Sequence, residues 1–242
     1  MQRCGIEEVR NALENEDVSM ILVLRDSNDS QVEELTKLAF QMSIPIKQGS
    51  ESDIWRMSKY TENDKIHPIL ALVGRNPNAD INQILEVGGI IWLLAGAQYP
   101  VNIGYTIRTA EVSGANAVFV DGKLSHSQKK AAKRASMKAH RFMPVHWVEG
   151  LDFVRMAKEN DFKIVSIEDT GNLHPWESKL TDDVLLVVGG EHYGIPEEIL
   201  SISDQIVRIP MAGFVPSYNL QAPMAIMAAE ALRQRSTFSK IN

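Results

Sequence analysis

The 242-residue chain has a single cysteine, Cys4, which excludes an internal disulfide and any cysteine-rich zinc site. One thiol in a chain of this size suits a reducing compartment. An uninterrupted apolar run of about 18 residues is also missing, so no segment reads as a membrane-spanning helix. Met1–Asp17 (MQRCGIEEVRNALENED) has an acidic, helix-like pattern where a secretory signal needs an uncharged apolar stretch, and the expectation is a cytoplasmic protein. The six histidines form no H-x-x-x-H or H-E-x-x-H pair, and no serine sits in G-x-S-x-G, which leaves metal hydrolysis and the usual serine hydrolases without support; no metal is expected. Neither G-x-G-x-x-G nor a P-loop is present, which removes the feature that a nicotinamide oxidoreductase would need.

Positive charge is in short supply as well. Against 31 Asp+Glu stand 25 Lys+Arg, a formal charge of −6, a poor start for binding a polyanion. The deficit is uneven: residues 1–85 hold 9 basic and 14 acidic side chains, residues 86–242 hold 16 and 17. With 44% hydrophobic and 23% charged residues, the composition is otherwise that of an ordinary globular protein with room for a sizeable core.

Short helix-like and strand-like pieces alternate through the first part. An amphipathic helix carries Val9 and Leu13, Ser19–Leu24 is an apolar strand, and Ser30 is placed to cap a helix over Gln31–Gln41. An extended Pro45–Lys47, a helix from Ser50 or Ser52 to Tyr60 and a strand at Pro68–Val73 follow, together a small α/β/α sandwich. Asn76-Pro77-Asn78 breaks the pattern, which predicts a domain over 1–75, a linker over 76–85 and a second domain over 86–242. In the second, buried-strand runs at Ile90–Leu94, Ala117–Val120, Lys163–Ile167, Val184–Val188 and Gln205–Ile209 alternate with helical segments at Asn102–Ser113, His126–Lys138, Gly150–Asn160, Pro196–Ser201 and Gln221–Gln234. That order predicts an α/β fold with a mostly parallel sheet.

Three segments put glycine and polar residues just beyond an apolar strand, where open α/β sheets bind ligands. In Asn102–Gly114 (NIGYTIRTAEVSG), Asn102 is placed to cap a helix that carries Arg108; taken alone, this describes a capped helix with a solvated arginine equally well. In LLVVGGEHYGIPEE, a strand ends in Gly189-Gly190 before Glu191, a layout that brings backbone close to a ligand or simply turns the chain into the next helix. Ile209–Met224 is a Gly/Pro-broken loop in which Ser217 or Asn219 caps a last helix, and helix N-termini also offer free N–H groups. Finally, Lys123–Arg141 (KLSHSQKKAAKRASMKAHR) holds seven Lys/Arg, two His and no acid: a solvated helix face, or a phosphate-backbone contact.

Taken in order, NIGYTIRTAEVSGA (102–115), VVGGEHYGIP (187–196) and IPMAGFVPSYN (209–219) resemble the three motifs of the SpoU/TrmH family of RNA ribose 2′-O-methyltransferases, within the SPOUT superfamily. The first part of the chain, from Gly5-Ile-Glu-Glu-Val to His67-Pro-Ile-Leu, resembles that family's L30e-like substrate-binding domain. The resemblance implies S-adenosyl-L-methionine as cofactor, RNA (rRNA or tRNA) as partner, a trefoil knot in the C-terminal domain and a homodimer that completes each site. It implies that backbone at Ile167, Gly189, Ile209 and Tyr218 grips the cofactor adenine. Carried over residue by residue, it assigns Arg108 to activating the hydroxyl or to holding phosphate and stabilising the developing alkoxide. Asn102 and Asn219 would orient the ribose and Arg108, Ser217 would bond near the hydroxyl, and Glu191 would fix its loop or accept the proton through water. Lys129, Lys130, Lys133, Arg134, Lys138 and Arg141 would extend the RNA surface. Tyr218 replaces a frequent Leu, and the family's His-Gln-Gly reads His67-Pro68-Ile69, which makes His67 a border residue. A catalytically silent RNA-binding homologue is the alternative within the same fold.

Overall fold

The computed structural model of the chain describes residues 2–58 and 66–238. They form two compact units that divide after Pro77.

In the first unit, β1 (Gln2–Cys4), α1 (Ile6–Asn15), β2 (Val18–Leu24), α2 (Ser30–Gln41), β3 (Ile46–Gly49), α3 (Glu51–Met57) and β4 (Ile69–Val73) build a four-stranded sheet in the order β1-β4-β2-β3. Strands β2 and β3 run parallel, and β4 runs antiparallel to both β1 and β2. Helices α1 and α2 cover one face because Val9, Ala12 and Leu13, and Val32, Leu35 and Ala39, recur at helical spacing. Ile54 of α3 packs with Leu22 and Leu70 on the other face. Asp29, not Ser30, caps α2, its carboxylate accepting from the Gln31 N–H at 2.9 Å. Of the two serines before α3, Ser50 is the cap, closing a reciprocal box with Asp53. The predicted end of that helix, Tyr60, lies outside the described residues.

The second unit begins with a difference from expectation. The range 76–85 contains most of a helix, α4 (Ile81–Val87): Asp80 and Gln83 cap each other's backbone at 2.9 and 3.0 Å, and Ile84 and Leu85 are buried. The strands that follow are β5 (Ile90–Ala95), β6 (Ala117–Asp121), β7 (Val145–Trp147), β8 (Lys163–Ile167), β9 (Val184–Gly189) and β10 (Gln205–Val207). Their order is β10-β8-β9-β5-β6-β7, and every neighbouring pair is parallel. Such a sheet is covered on both sides. Trp92 and Leu94 of β5 and Val184, Leu186 and Val188 of β9 point to one core, with α5 (Pro100–Val112), α6 (His126–Ala135) and α9 (Gln221–Phe238) over it. Ile91, Leu93, Leu185 and Val187 point to the other, under α4, α7 (Gly150–Glu159) and α8 (Glu197–Leu200).

Two local features tie this unit together. A Cβ on Gly104 would lie 2.4 Å from the Ala135 Cβ and 2.6 Å from the Ala132 carbonyl oxygen, so glycine is what lets α5 and α6 approach so closely. At its far end α9 is strapped to the 178–182 loop: the Gln234 amide accepts from the Leu180 N–H at 2.9 Å and donates to the Ser178 carbonyl at 2.8 Å, while the Arg235 guanidinium donates to the carbonyls of Leu180 and Asp182. Among the described residues, no helix is long and apolar enough to cross a membrane.

Candidate functional site

The carboxyl ends of β5, β8 and β9 meet where the connections leave the sheet in opposite directions, the place where such sheets take ligands. Beyond β9, the Gly190 N–H donates to the Ala95 carbonyl at 2.6 Å, and a Cβ on Gly190 would fall 2.2 Å from the Gly96 carbonyl oxygen. Only glycine fits between these two loops. The next side chain, Glu191, is then fixed twice: Oε1 accepts from the Asn102 amide at 2.8 Å and Oε2 from the Gln98 N–H at 3.1 Å.

This arrangement corrects the role expected for Asn102. Helix α5 begins two residues earlier, at Pro100, and Tyr99 precedes it without a side-chain cap. Asn102 lies in the first turn and binds Glu191 instead, so the carboxylate of one loop neutralises the start of a helix on another. Tyr99 makes a parallel link, its hydroxyl 2.9 Å from Nε2 of His192.

A cavity of about 480 Å³ opens against this corner. Its walls include Ile167, Gly189, Glu191, Ile209, Ser217, Tyr218 and Asn219, seven of the nine residues expected to bind cofactor or act in catalysis. The last wall is a loop closed by the Tyr218 hydroxyl, which donates to the Pro210 carbonyl at 3.1 Å. Asn219, rather than Ser217, starts α9: its Oδ1 accepts from the Gln221 N–H at 3.2 Å and its carbonyl from the Ala222 N–H at 2.9 Å. Glu168, Asp169 and His192 also line the cavity and escaped the sequence reading. The signal that exposes the first two is the one already used elsewhere, polar residues directly after the apolar strand Lys163–Ile167. Glu168 spans the site, its Oε2 accepting from the Ile195 N–H at 3.1 Å.

The lining combines apolar Ile167, Val188, Ile209, Leu220 and Pro223 with the carboxylates Glu168, Asp169 and Glu191, which suits a ligand with an apolar ring and a positive centre. The volume falls within the roughly 300–1,000 Å³ of small-molecule sites. Among the described residues, no group of three or more His, Cys, Asp or Glu is placed to hold a metal.

Arg108 is not part of this cavity. It lies in a separate open groove between α5 and α9 with Tyr105, Thr109, Val112, Gln221, Ala225 and Leu232. Of the six basic residues expected to face a polyanion, Lys129, Lys130, Lys133 and Arg134 are on α6, and Lys130, Lys133 and Arg134 are exposed. Lys129 is half-buried, its Nζ 4.8 Å from the centre of the Trp147 ring. The expected helix His126–Lys138 stops at Ala135, because Met137 and Lys138 take positive φ; Arg141 follows on a single 3₁₀ turn. One strand over, burial and then the neighbouring Glu149 push the Asp121 carboxyl above its ordinary 3.8.

The chain matches the family model described as "SpoU rRNA Methylase family" over residues 89–229, a range that contains all three motif segments. It is 26% identical over 236 residues to the 23S rRNA (guanosine-2′-O-)-methyltransferase RlmB of Photobacterium profundum, covering 96% of each chain. To the enzyme of the same name from Escherichia coli K12 it is 32% identical over 145 residues, 60% of each chain. The solved structure of the SpoU methyltransferase AviRb from Streptomyces viridochromogenes, in complex with AdoMet, superimposes with a TM-score of 0.57 at 22% identity, covering 98% of this chain and 91% of that one. With a model match over more than half of its length, the chain belongs to the SpoU rRNA Methylase family.

Proposed function

We propose that this protein transfers a methyl group from S-adenosyl-L-methionine to a ribose 2′-hydroxyl of ribosomal RNA, with a guanosine of 23S rRNA the first target to test. The observation that carries the reading is the cavity itself, which joins Gly189 and Glu191 of the second motif to Ile209, Ser217, Tyr218 and Asn219 of the third. The named relatives add the substrate: proteins similar over nearly the whole chain bear the name of a 23S rRNA guanosine-2′-O-methyltransferase.

The cofactor supplies an electrophilic methyl on a sulfonium. Ile167, Gly189, Ile209 and Tyr218, which line the cavity, would hold its adenine mainly through backbone groups, and Glu168, Asp169 and Glu191 would give the site the negative potential that a sulfonium favours. A ribose hydroxyl is almost wholly un-ionised at neutral pH, so its oxygen must be aligned and its proton removed as the new C–O bond forms and the methyl C–S bond breaks, the electron pair staying on sulfur as a neutral thioether. Ser217 and Asn219 line the same cavity and would bond near the hydroxyl and orient the ribose, and Glu191, whose two oxygens accept from Asn102 and Gln98, would steady the loop or take the proton through water. A guanidinium has five donors and no acceptor, which makes Arg108 a holder of phosphate and of the developing alkoxide rather than the base.

Because Arg108 opens on the α5–α9 groove and not on the cavity, the reading includes a homodimer in which Arg108 of one protomer serves the cavity of the other. Exposed Tyr105, Val112 and Leu232 on that face support it. The same separation favours the silent RNA-binding homologue if the chain is monomeric. A trefoil knot is supported by the way residues 206–208 lie against the β8–β9 connection: the Arg208 N–H donates to the Leu173 carbonyl at 2.7 Å, and Gly171 has no room for a Cβ beside Ile206 and Arg208. The first unit, an α/β/α sandwich, is read as the L30e-like RNA-binding domain, the α6 basic face as a phosphate contact, and the cytoplasm as the compartment.

The test is transfer of tritiated methyl from the cofactor into 23S rRNA from cells lacking the protein, with the site mapped by resistance to alkaline cleavage. Incorporation at one ribose, lost in Arg108→Ala, is expected. No incorporation into any RNA overturns the reading, and calorimetry that then finds no cofactor binding favours the silent homologue.

A further inference from the structure

The segment between Gly190 and Gly194 is a short tip whose two ends bridge to each other. Each residue beside its apex is fastened. Glu191 is held by Asn102 and Gln98, His192 by the Tyr99 hydroxyl at 2.9 Å, and Ile195, just past the tip, by Glu168. The Tyr99 and His192 rings meet edge-on, 5.6 Å between centres at 66°. Yet the apex residue, Tyr193, is 90% exposed, while His192 and Gly194 on either side of it line the cavity. Its ring meets His192 edge-on, 6.2 Å apart at 62°, a contact that leaves at least one face of the tyrosine open.

A large aromatic ring bare to solvent, on a held tip whose neighbouring residues line the cavity, has little packing value to the fold. It is well made for stacking, since tyrosine loses few rotamers when it is covered. Unpaired RNA bases are bound by stacking on aromatic side chains of this kind. The base and the 2′-hydroxyl sit on adjacent carbons of one ribose, so a platform that holds the base beside the cavity also sets the hydroxyl in front of it.

We propose that Tyr193 is the stacking platform for the base of the nucleotide being methylated, and that the Tyr99–His192 pair is the clasp that positions it. The inference rests on the methyl-transfer reading above. Stacking tolerates any base, so Tyr193 places the target nucleotide without choosing its identity. Tyr99 acts only through the tip and is a positioning residue.

The experiment compares the full-length wild type with Tyr193→Ala, Tyr193→Phe and Tyr193→Trp in methyl transfer to 23S rRNA, with cofactor affinity measured by calorimetry. Alanine is expected to raise the KM for RNA about tenfold and leave cofactor affinity unchanged, while Phe and Trp stay within about twofold of wild type. RNA should quench the added emission of Tyr193→Trp. Tyr99→Phe should raise the KM by less, leave the melting temperature unchanged, and add nothing in the Tyr99→Phe, Tyr193→Ala double variant. A KM for Tyr193→Ala equal to wild type, or a Phe variant as poor as Ala, overturns the proposal while transfer by the wild type stands. A wild type that methylates no RNA overturns the methyl-transfer reading and takes this inference with it.

Discussion

Two concave regions of the second unit are built on opposite plans. The cavity is made by strand ends and broken loops, and its polar atoms are tied to one another: Glu191 to Asn102, Glu168 to Ile195, Tyr218 to Pro210. The groove is made by the side chains of two helices, exposes Tyr105, Val112 and Leu232, and carries the arginine that the chemistry calls for. The first is complete within one chain and shaped for a small molecule; the second is an unsatisfied apolar face with one charge. Their separation teaches that residues of motifs adjoining one another at the sheet ends can still line different concavities of the same unit.

The largest expected effect comes from removing the charge in the groove. Arg108→Ala should lower kcat/KM for RNA by about 10³ while calorimetry finds cofactor affinity unchanged, because the arginine lies outside the cavity. If assembly joins the two regions, mixing this variant with Gly190→Val, whose side chain collides with the Gly96 carbonyl, should restore about a quarter of wild-type activity through mixed dimers. No restoration would place Arg108 and the cavity of the same chain together and erase the contrast. Within the cavity, Glu191→Ala strands the Asn102 amide and the Gln98 N–H without their acceptor, and a loss of roughly 10- to 100-fold in kcat/KM is expected from steady-state kinetics. Outside both regions, replacing Lys130, Lys133 and Arg134 by alanine should raise the KM for RNA and flatten the dependence of log affinity on log salt by about 2, leaving kcat alone.

The smallest effect concerns a carboxylate at the same end of the sheet that burial, rather than donors, controls. Asp121 has its pKa raised by burial first and Glu149 second, so the folded chain holds that proton more tightly than the unfolded one. Its stability contribution is present below the ordinary 3.8 and is lost as pH rises through the raised value. Asp121→Asn should therefore melt higher than wild type at pH 7, and the advantage should vanish as the pH falls toward 3.8 and below.

Much of this was legible before any coordinates. Strands β5, β8 and β9 are buried on both faces, so they stand out as continuous apolar runs, and their limits differ from the expected ones by no more than one residue. The strands β1 (QRC) and β7 (VHW) went unseen because each is three residues long, lies at a sheet edge and is only half-buried. Helix α4 was hidden by the strong Asn-Pro-Asn turn signal before it, although Asp80 and Gln83 spell a capping box. The cap expected of Asn102 failed for a physical reason: Glu191, 89 positions away, is a better partner for its amide than the local N–H groups. Arg108 shows the limit of a linear reading. Its motif precedes the other two in sequence, but the groove it lines is set by packing between α5 and α9 that no local spacing encodes.

The strap between α9 and the 178–182 loop bears on how the protein is made. The wall that closes the cavity comes from residues 209–223, and Gln234 and Arg235 anchor the helix that follows it. A ribosome releases the first unit long before these residues emerge, so that unit can fold during synthesis, whereas the second must wait for nearly its whole length. Competence to bind cofactor therefore arrives late, and an incompletely translated chain carries a folded first unit without a finished pocket.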